Sequence, residues 1–555
     1  MKKKLLLTIL MLVSSSVFAQ SNWDLVWTLN QKPFLQEQVG SEMAIVKAGF
    51  DTDQDGWGEF LCAWTDLEAN YILMYEASAD NTYDLVWYWE YPVDANSFAG
   101  IVVGDFDSNG KPEIITTMPT VVDGDSPNRI WFFEWSGVQG ENMYGRGSLG
   151  AIEPTKSWNF NVENGIDFRP YSLNMEDIDN DGDNEIIMGV RLGDRGREVM
   201  VFSIVGGDLF GFGQFKIEFN HQESFEGSLY SVTTGDLDND NNQDIYALVW
   251  ADMTVRFFEC TGVDQYELVT SLDSVTAGMD YGALDGLKVA DANNDGINEL
   301  YFAATEPDNS IFMVTGITDL SQITPEDFKL FYRIPVNAQG KLRTLDIADP
   351  DGDGNINLLI AGEQNGQIFD LEYKGSGDPA DSLNWELNIA FDVYEYSGFS
   401  PDSGWGVTTL DPRFFYGSFA NDMDQDGKNE YVFINYRTTF DVWPEDKYLF
   451  ILENDQIVGV ENPNSVFPNK FSLEQNYPNP FNPTTNIEFN LPEQGEVELT
   501  VYDLLGNKIK TLVNEQKNAG NYNVTFDGKN LASGVYYYLL KTNGSLITKK
   551  MILMK

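Results

Sequence analysis

The sequence of 555 residues contains one histidine, His221, and two cysteines, Cys62 and Cys260. A single histidine excludes catalytic triads with a histidine base and metal sites built from several imidazoles. Two cysteines far apart in the chain, each within an apolar run, cannot form a disulfide framework, so buried free thiols are expected. No Gly-rich phosphate-binding loop stands out. Catalysis by carboxylate, Tyr, Lys or Arg side chains, as in glycosidases and polysaccharide lyases, remains possible.

Long apolar runs are also scarce. The run from Leu5 to Val13 follows three lysines and precedes the small-residue site Val17-Phe18-Ala19. This arrangement is typical of a secretory signal peptide, which we place at residues 1–19. The run is too short to span a bilayer, and no later segment is long and apolar enough, so no transmembrane segment is expected.

Basic residues are few, since 34 Lys and Arg stand against 87 Asp and Glu, for a formal net charge of −53. The acidic excess lies in residues 20–469, whereas residues 470–555 hold nine lysines and eight acidic residues. So acidic a segment repels a phosphate backbone, and nucleic acid is therefore a poor partner. It attracts divalent cations. The break in charge, next to a Pro- and Asn-rich stretch, predicts a domain boundary with a linker at residues 465–470.

One short pattern occurs seven times. It reads D-x-[DN]-x-[DN] with an acid or amide at the ninth position, and its copies start 54, 72, 59, 55, 58 and 73 residues apart. Alternate residues of a tight loop can bring side-chain oxygens to one point, as a hard cation such as Ca²⁺ requires. Positions one, three, five and nine therefore predict ligands for up to seven structural calcium ions. These ligands are Asp51, Asp53, Asp55 and Glu59; Asp105, Asp107, Asn109 and Glu113; Asp177, Asp179, Asp181 and Glu185; Asp236, Asp238, Asp240 and Asp244; Asp291, Asn293, Asp295 and Glu299; Asp349, Asp351, Asp353 and Asn357; and Asp422, Asp424, Asp426 and Glu430.

The residues around these loops decide between two calcium motifs. Position six is glycine in six copies and Asn241 in the fourth, and both residue types tolerate the chain reversal that the loop needs. An EF-hand requires an acid at position twelve, which is absent from all seven copies. Instead, each loop is followed by an apolar run such as EIIMGV, and then by a second one such as RIWFFEW or KYLFILE. These runs predict buried strands, so the EF-hand is excluded.

Each repeat is thus predicted to be a four-stranded antiparallel unit of about 60 residues, as in a propeller blade. The loops resemble the FG-GAP/VCBS repeats of integrin-α-like propellers over roughly residues 23–464. The resemblance implies an all-β chain with a seven-bladed β-propeller, whose domain we place at residues 20–464. The segment DLVWTLN at residues 24–30 resembles the outer strand DLVWYWE at residues 84–90. The N-terminal strand is therefore predicted to complete the last blade and cover its edge.

The C-terminal segment differs from the repeats. It contains FSLEQNYPNPFNPTT, VYDLLGN, FDGKNLASGVYYYLL and KKMILMK in this order. Alternating runs such as VELTVYD between Gly and Asn turns predict a small Ig-like β-sandwich over residues 471–555. The segment resembles the type A sorting domain of the type IX secretion system, and the alternative is a carbohydrate-binding domain. The resemblance implies recognition by the outer-membrane translocon and a protein secreted to, or displayed on, the outer surface of a Gram-negative-type bacterium.

The ligand of the predicted propeller is harder to identify. Aromatic residues between the sixth and seventh loops, namely Trp385, Tyr394, Tyr396 and Trp405, could stack on a glycan or a surface protein. Alternatively, these rings cover the outer edge or fill the central channel. The favoured hypothesis is a calcium-binding module for binding or adhesion. A polysaccharide-active enzyme of the lyase type and a structural component of a surface layer remain alternatives, because propellers host many functions.

Overall fold

A computed structural model divides the chain into two compact units, Met1–Val458 and Gly459–Lys555, and each is considered by itself. The described residues are 22–29, 42–65, 70–92, 99–118, 128–158, 169–193, 196–211, 213–223, 229–249, 254–273, 280–306, 309–335, 341–363, 366–397, 413–436, 449–455, 472–473, 476, 479, 481–491, 495–503, 507–517, 520–542 and 546–554. The predicted signal peptide (residues 1–19) and linker (residues 465–470) lie outside them.

The described residues are mainly β-strands, which confirms the all-β prediction. Within these residues, the helical segments are one α-helix, α1 (Val393–Ser397), and three 3₁₀ turns at Leu320–Gln322, Pro325–Asp327 and Ser382–Asn384.

In the described part of the first unit, the sheets contain seven antiparallel groups of four strands. The N-terminal strand β1 (Trp23–Thr28) belongs to the last group. The first three groups are β2 (Glu42–Phe50), β3 (Glu59–Thr65), β4 (Asn70–Ala79) and β5 (Thr82–Glu90); β6 (Gly100–Gly104), β7 (Glu113–Thr117), β8 (Ile130–Glu134) and β11 (Lys156–Trp158); and β12 (Arg169–Glu176), β13 (Glu185–Gly193), β14 (Gly196–Val205) and β15 (Gln214–Glu223). A separate hairpin consists of β9 (Arg146–Ser148) and β10 (Ala151–Glu153).

The other four groups follow the same order. They are β16 (Leu229–Gly235), β17 (Asp244–Val249), β18 (Thr254–Gly262) and β19 (Gln265–Asp273); β20 (Asp280–Ala290), β21 (Glu299–Glu306), β22 (Ser310–Val314) and β23 (Lys329–Arg333); β24 (Lys341–Ala348), β25 (Asn357–Glu363), β26 (Gln367–Tyr373) and β27 (Trp385–Asp392); and β28 (Gly417–Ala420), β29 (Glu430–Ile434) and β30 (Leu449–Asn454) with β1. One parallel pair, Asp285 with Thr344, joins the fifth and sixth groups into a sheet of eight strands.

The second strand of a group is apolar on both faces because neighbouring groups pack on both sides of it. The strands β7, β17 and β29 are buried along their whole length. A strand without a solvent face has no reason to alternate apolar and polar residues. Phe257 of the fourth group and Phe302 of the fifth share one buried cluster, and Trp64 of the first group and Val432 of the last share another. Each such side chain contributes about 1.5–3 kcal/mol when it is buried.

The N-terminal strand pairs as the sequence predicted. Trp23 lies opposite Asn454 and Trp27 opposite Ile451, so β1 runs antiparallel to β30. The indole N–H of Trp23 also donates a hydrogen bond of 2.8 Å to the buried carboxylate of Asp370 in β26. The first strand therefore covers the edge of the last group and is linked to the group before it.

The second unit is a small sandwich of two antiparallel sheets, as predicted. One sheet contains β31 (Ser472–Leu473), β32 (Thr484–Leu491) and β35 (Gly520–Asp527), and the other β33 (Gly495–Asp503), β34 (Lys508–Lys517), β36 (Gly534–Lys541) and β37 (Leu546–Leu553). Phe489 and Phe526 from the first sheet share a buried core with Leu499 and Tyr538 from the second. Alternating residues supply this core because only one face of each sheet is covered.

Candidate metal centres

Each of the seven acidic loops connects the first and second strands of its group. The residue at position nine is the first residue of the second strand in every copy, from Glu59 in β3 to Glu430 in β29. The first strand delivers position one and the second begins at position nine, so both ends of each loop are anchored in the sheet.

A repeated set of hydrogen bonds shapes the loops. In the first loop, the Asp51 carboxylate accepts the backbone N–H of Asp55 at 3.0 Å and of Gly56 at 3.0 Å. The equivalent pair of bonds recurs in the second, fourth, fifth and sixth loops. Position six has a positive φ in all seven loops, including 95° at Gly56 and 71° at Asn241. The predicted reversal at position six is therefore confirmed, with Asn in place of Gly in the fourth loop.

The carboxylate at position nine closes the loop from the other side. Glu113 accepts the backbone N–H of Phe106, at position two, at 2.7 Å. The same bond is present in the first, third, fifth and seventh loops, at 2.9–3.0 Å. The fourth and sixth loops differ. Leu237 donates instead to the Tyr246 hydroxyl at 3.0 Å, and Asn357 donates its side-chain N–H to Asp370 at 2.6 Å.

The loop carboxylates retain buried oxygens without a protein partner. They include Oδ2 of Asp53, Oε1 of Glu113, Oδ1 of Asp424 and Oε1 of Glu430. These four side chains are at most 3 % exposed. A buried carboxylate oxygen without a partner is energetically costly, and a hard cation is the ligand that satisfies several such oxygens together. The donor set therefore fits a calcium ion.

The predicted ligands also converge in space. One side-chain oxygen from each member of a set lies within 4.8 Å of the others, and the sets with this property include Asp51, Asp53 and Glu59; Asp105, Asp107 and Glu113; and Asp422, Asp424, Asp426 and Glu430. In these three loops, the structure brings together the acids at positions one, three and nine. The seventh loop adds the acid at position five.

The charge of these groups is poorly balanced by the protein. Burial, together with the neighbouring carboxylates, raises the pKa of Glu59, Glu113 and Glu430 to about 9. Burial likewise raises the pKa of Asp53 to about 6. Desolvation and like charge both disfavour the ionised form, so a cation bound at the centre of a loop would stabilise these carboxylates.

A second row of acids lies opposite position nine on the third strand of the group. Glu76 faces Glu59, Glu134 faces Glu113, and Glu453 faces Glu430 across adjacent strands. Glu372 takes the same place opposite Asn357. These residues were not predicted from the sequence. The signal was present, because an acid recurs near the end of the third-strand runs YILMYEA, RIWFFEW, TVRFFEC and KYLFILE.

The aspartate at position three links its loop to the next group of strands. Asp107 accepts the backbone N–H of Leu209, in the turn after β14, at 2.6 Å. Asp179 accepts that of Asp264, between β18 and β19, also at 2.6 Å. Asp424 in the last group accepts that of Asn81 in the first group, again at 2.6 Å. The loops therefore connect neighbouring groups as well as shaping their own.

Two of the four aromatic ligand candidates, Trp385 and Tyr396, have side chains that the structure describes. Trp385 is buried, its ring lies 5.1 Å from that of Phe331 and 5.4 Å from that of Tyr373, and its N–H donates to the Pro379 carbonyl at 2.9 Å. It fills the core between the fifth and sixth groups and offers no face to a ligand, a position that neither the ligand hypothesis nor its alternative predicted. Tyr396 is 43 % exposed. Trp405 and the side chain of Tyr394 lie outside the described residues.

Comparison with known proteins identifies the C-terminal segment. Residues 475–554 match the family described as secretion system C-terminal sorting domain, which confirms the predicted sorting domain. The protein is therefore exported by type IX secretion to the cell surface or exterior. Among the described residues, no helix is long and apolar enough to cross a membrane. No curated protein matches the chain.

Solved structures show distant likeness to the chain. Rhamnogalacturonan lyase PL11 of Bacillus licheniformis is 12 % identical, with a TM-score of 0.39, and the alignment covers 76 % of this chain and 75 % of the lyase. The periplasmic gluconolactonase PpgL of Pseudomonas aeruginosa is 11 % identical, with a TM-score of 0.40 and coverage of 60 % and 81 %. PorZ, a surface component of the type IX secretion system of Porphyromonas gingivalis, is 12 % identical, with a TM-score of 0.36 and coverage of 92 % and 59 %. Likeness at this level does not identify an activity.

Proposed function

We propose that the chain is an exported seven-bladed β-propeller that holds structural calcium and acts as a binding or adhesion module outside the cell. The seven groups of strands are its blades, and the pairing of β1 with β30 closes the ring. The acidic loops are FG-GAP/VCBS-like calcium loops. The observation that carries the proposal is the repeated presence, in these loops, of buried carboxylate oxygens without a protein partner.

The loops with a complete acid set are the strongest candidates for calcium. Their donors are oxygens, which favours Ca²⁺ or Mg²⁺ over metals that prefer nitrogen or sulfur. Asp51, Asp53 and Glu59 would hold the ion in the first loop, and Asp422, Asp424 and Glu430 in the seventh. When bound, calcium supplies the positive charge that the buried carboxylates lack. The protein residues fix both loop ends and bring the oxygens within 4.8 Å of one another.

The two cysteines and the histidine do not support catalysis by a thiol or an imidazole. Burial raises the pKa of the Cys62 thiol far above its ordinary value and that of Cys260 to about 11, so neither thiol is reactive near neutral pH. His221 packs with its ring 5.2 Å from that of Phe258 on the face of β15. Tyr396 remains a candidate for contact with a glycan or a surface protein, because its side chain is exposed.

The test combines metal analysis with two activity screens on the purified exported protein. We expect bound calcium after dialysis against millimolar free metal, binding on a glycan or surface-protein array, and no cleavage of the glycans that are bound. Cleavage of a bound polysaccharide would establish the lyase alternative. Calcium binding with neither a ligand nor cleavage would favour the surface-layer alternative, and absence of calcium would overturn the metal assignment.

A further inference from the structure

The junction between the first and last groups of strands holds a second cluster of carboxylates. Asp80 lies in the turn between β4 and β5, Asp424 at position three of the seventh loop, and Glu453 near the end of β30. One oxygen from each of the three lies within 4.8 Å of the others. Asp80 and Asp424 are 344 residues apart in sequence, so this cluster exists only when the two ends of the unit meet.

Two of these carboxylates are buried and incompletely satisfied. Asp424 is 3 % exposed and Glu453 is 2 % exposed, and Oδ1 of the first and Oε2 of the second have no hydrogen-bond partner. The other oxygen of Asp424 accepts the backbone N–H of Asn81 at 2.6 Å. Lys428 contacts Oε1 of Glu453 and also Asp426, at 3.2 Å. The lysine therefore balances part of the charge, but Oδ1 of Asp424 and Oε2 of Glu453 still have no hydrogen-bond partner.

The third member completes the arrangement from the solvent side. Asp80 is exposed, and its Oδ1 accepts the side-chain N–H of Asn81 at 2.6 Å. Two buried carboxylates and one exposed carboxylate, which all offer oxygen ligands, match a site in which a hard cation keeps part of its water shell. A transition metal has no nitrogen or sulfur ligand in this set.

We propose that Asp80, Asp424 and Glu453 form a second divalent-cation site, distinct from the seven loops, that fastens the first blade to the last. Asp424 belongs both to this site and to the seventh loop, so the inference rests on the proposed function. The chain joins the last blade to the first only through β1, which is held to the other strands of the last blade by its pairing with β30. A cation at this position therefore adds a link between the first blade and the strands of the last blade that come from the other end of the unit.

The test counts bound calcium per chain by equilibrium dialysis in matched variants of the full exported protein. Asp80→Asn removes a ligand of the second site without touching the loop, and Asp422→Asn does the reverse. Asp84→Asn removes an exposed carboxylate from the same hairpin, where it accepts the Ser78 hydroxyl at 2.7 Å, and serves as the control. We expect each of the first two variants to lose one ion, the double variant to lose two, and the control to lose none.

A second measurement reports the position of the ion. With calcium present, Asp80→Asn should accelerate hydrogen exchange in β1 and β30 about tenfold, whereas the control should not. If Asp80→Asn retains the wild-type ion count, or if the double variant loses one ion only, there is no second site. Glu453→Gln repeats the test from the last blade. If the unmodified protein binds no calcium, the proposed function itself fails, which the same dialysis shows.

Discussion

Removal of calcium should lower the stability of the first unit, Met1–Val458, by an amount that the loops allow us to calculate. In five loops, a carboxylate at position nine accepts the N–H of position two. In the fourth loop the Tyr246 hydroxyl accepts this N–H instead, and in the sixth loop position nine is Asn357, which donates to Asp370. We therefore count five sites. Extracellular calcium modules bind with a Kd of about 0.1–1 mM, so 1 mM calcium contributes roughly 0.4–1.4 kcal/mol per site. Five sites therefore contribute about 2–7 kcal/mol, in the range of a typical net stability.

The corresponding change in melting temperature follows from the size of the unit. Unfolding entropy is about 2.1 cal/mol/K per residue, or roughly 0.9 kcal/mol/K for about 440 residues. Chelation should thus lower the Tm by about 2–8 °C in a calorimetric scan. Magnesium should restore less of this loss than calcium, because it dehydrates reluctantly.

A matched pair of variants isolates one loop. Glu59→Gln keeps an acceptor for the N–H of Thr52 but removes the charge, so the chelator-dependent shift should fall by about a fifth. Glu90→Gln, in the exposed part of β5, should leave the shift unchanged. A Tm that moves by less than a degree on chelation, or an equal response of the two variants, would refute the reasoning.

Three further predictions concern the sorting domain and the contacts made by the first and last groups of strands. A stop codon that removes residues 471–555 should leave the propeller inside the cell envelope of a host with the secretion system, as immunoblots of medium and periplasm would show; normal export would contradict the sorting assignment. Trp23→Phe removes the N–H that donates to the buried Asp370 and should cost about 1.5–3 kcal/mol in urea unfolding. An unchanged midpoint would mean that this bond contributes nothing to closure. Gly58→Ala would place a methyl group 2.6 Å from Cβ of Met423 in the last blade and should cost about 1–3 kcal/mol in the same assay. Wild-type stability in that variant would show that the first and last groups are less closely packed than described.

The sequence was most informative where structure is local. The loop pattern places its ligands within nine residues, so the positions that turn and the positions that converge could be read directly. The pairing of β1 with β30 was also predictable, because residues 24–30 resemble a strand that is already outer in the first group. The first prediction needed one short segment, and the second needed only the comparison of two segments, residues 24–30 and residues 84–90.

Features that depend on register or on distant contacts could not be derived in this way. Glu76 is an acid in an apolar strand, but only the pairing of β3 with β4 shows that it faces Glu59. The contact of Asp424 with Asn81 needs the meeting of two ends of the unit. Trp385 is a further example. Its position in the sequence suggested a ligand-binding surface, but in the structure it is buried against the neighbouring sheet.

The pairing of residue 23 with residue 454 has a kinetic consequence. Closing a chain segment of about 430 residues costs roughly 5 kcal/mol in configurational entropy, which slows the final step of folding. A ribosome must synthesise nearly the whole unit before β1 can find its partner, so earlier products carry an open strand edge. Premature termination before residue 449 leaves that edge without β30, and such fragments should be prone to aggregation and proteolysis. Because β30 (Leu449–Asn454) precedes the sorting domain in the chain, every molecule that contains the sorting domain also contains the strand that pairs with β1.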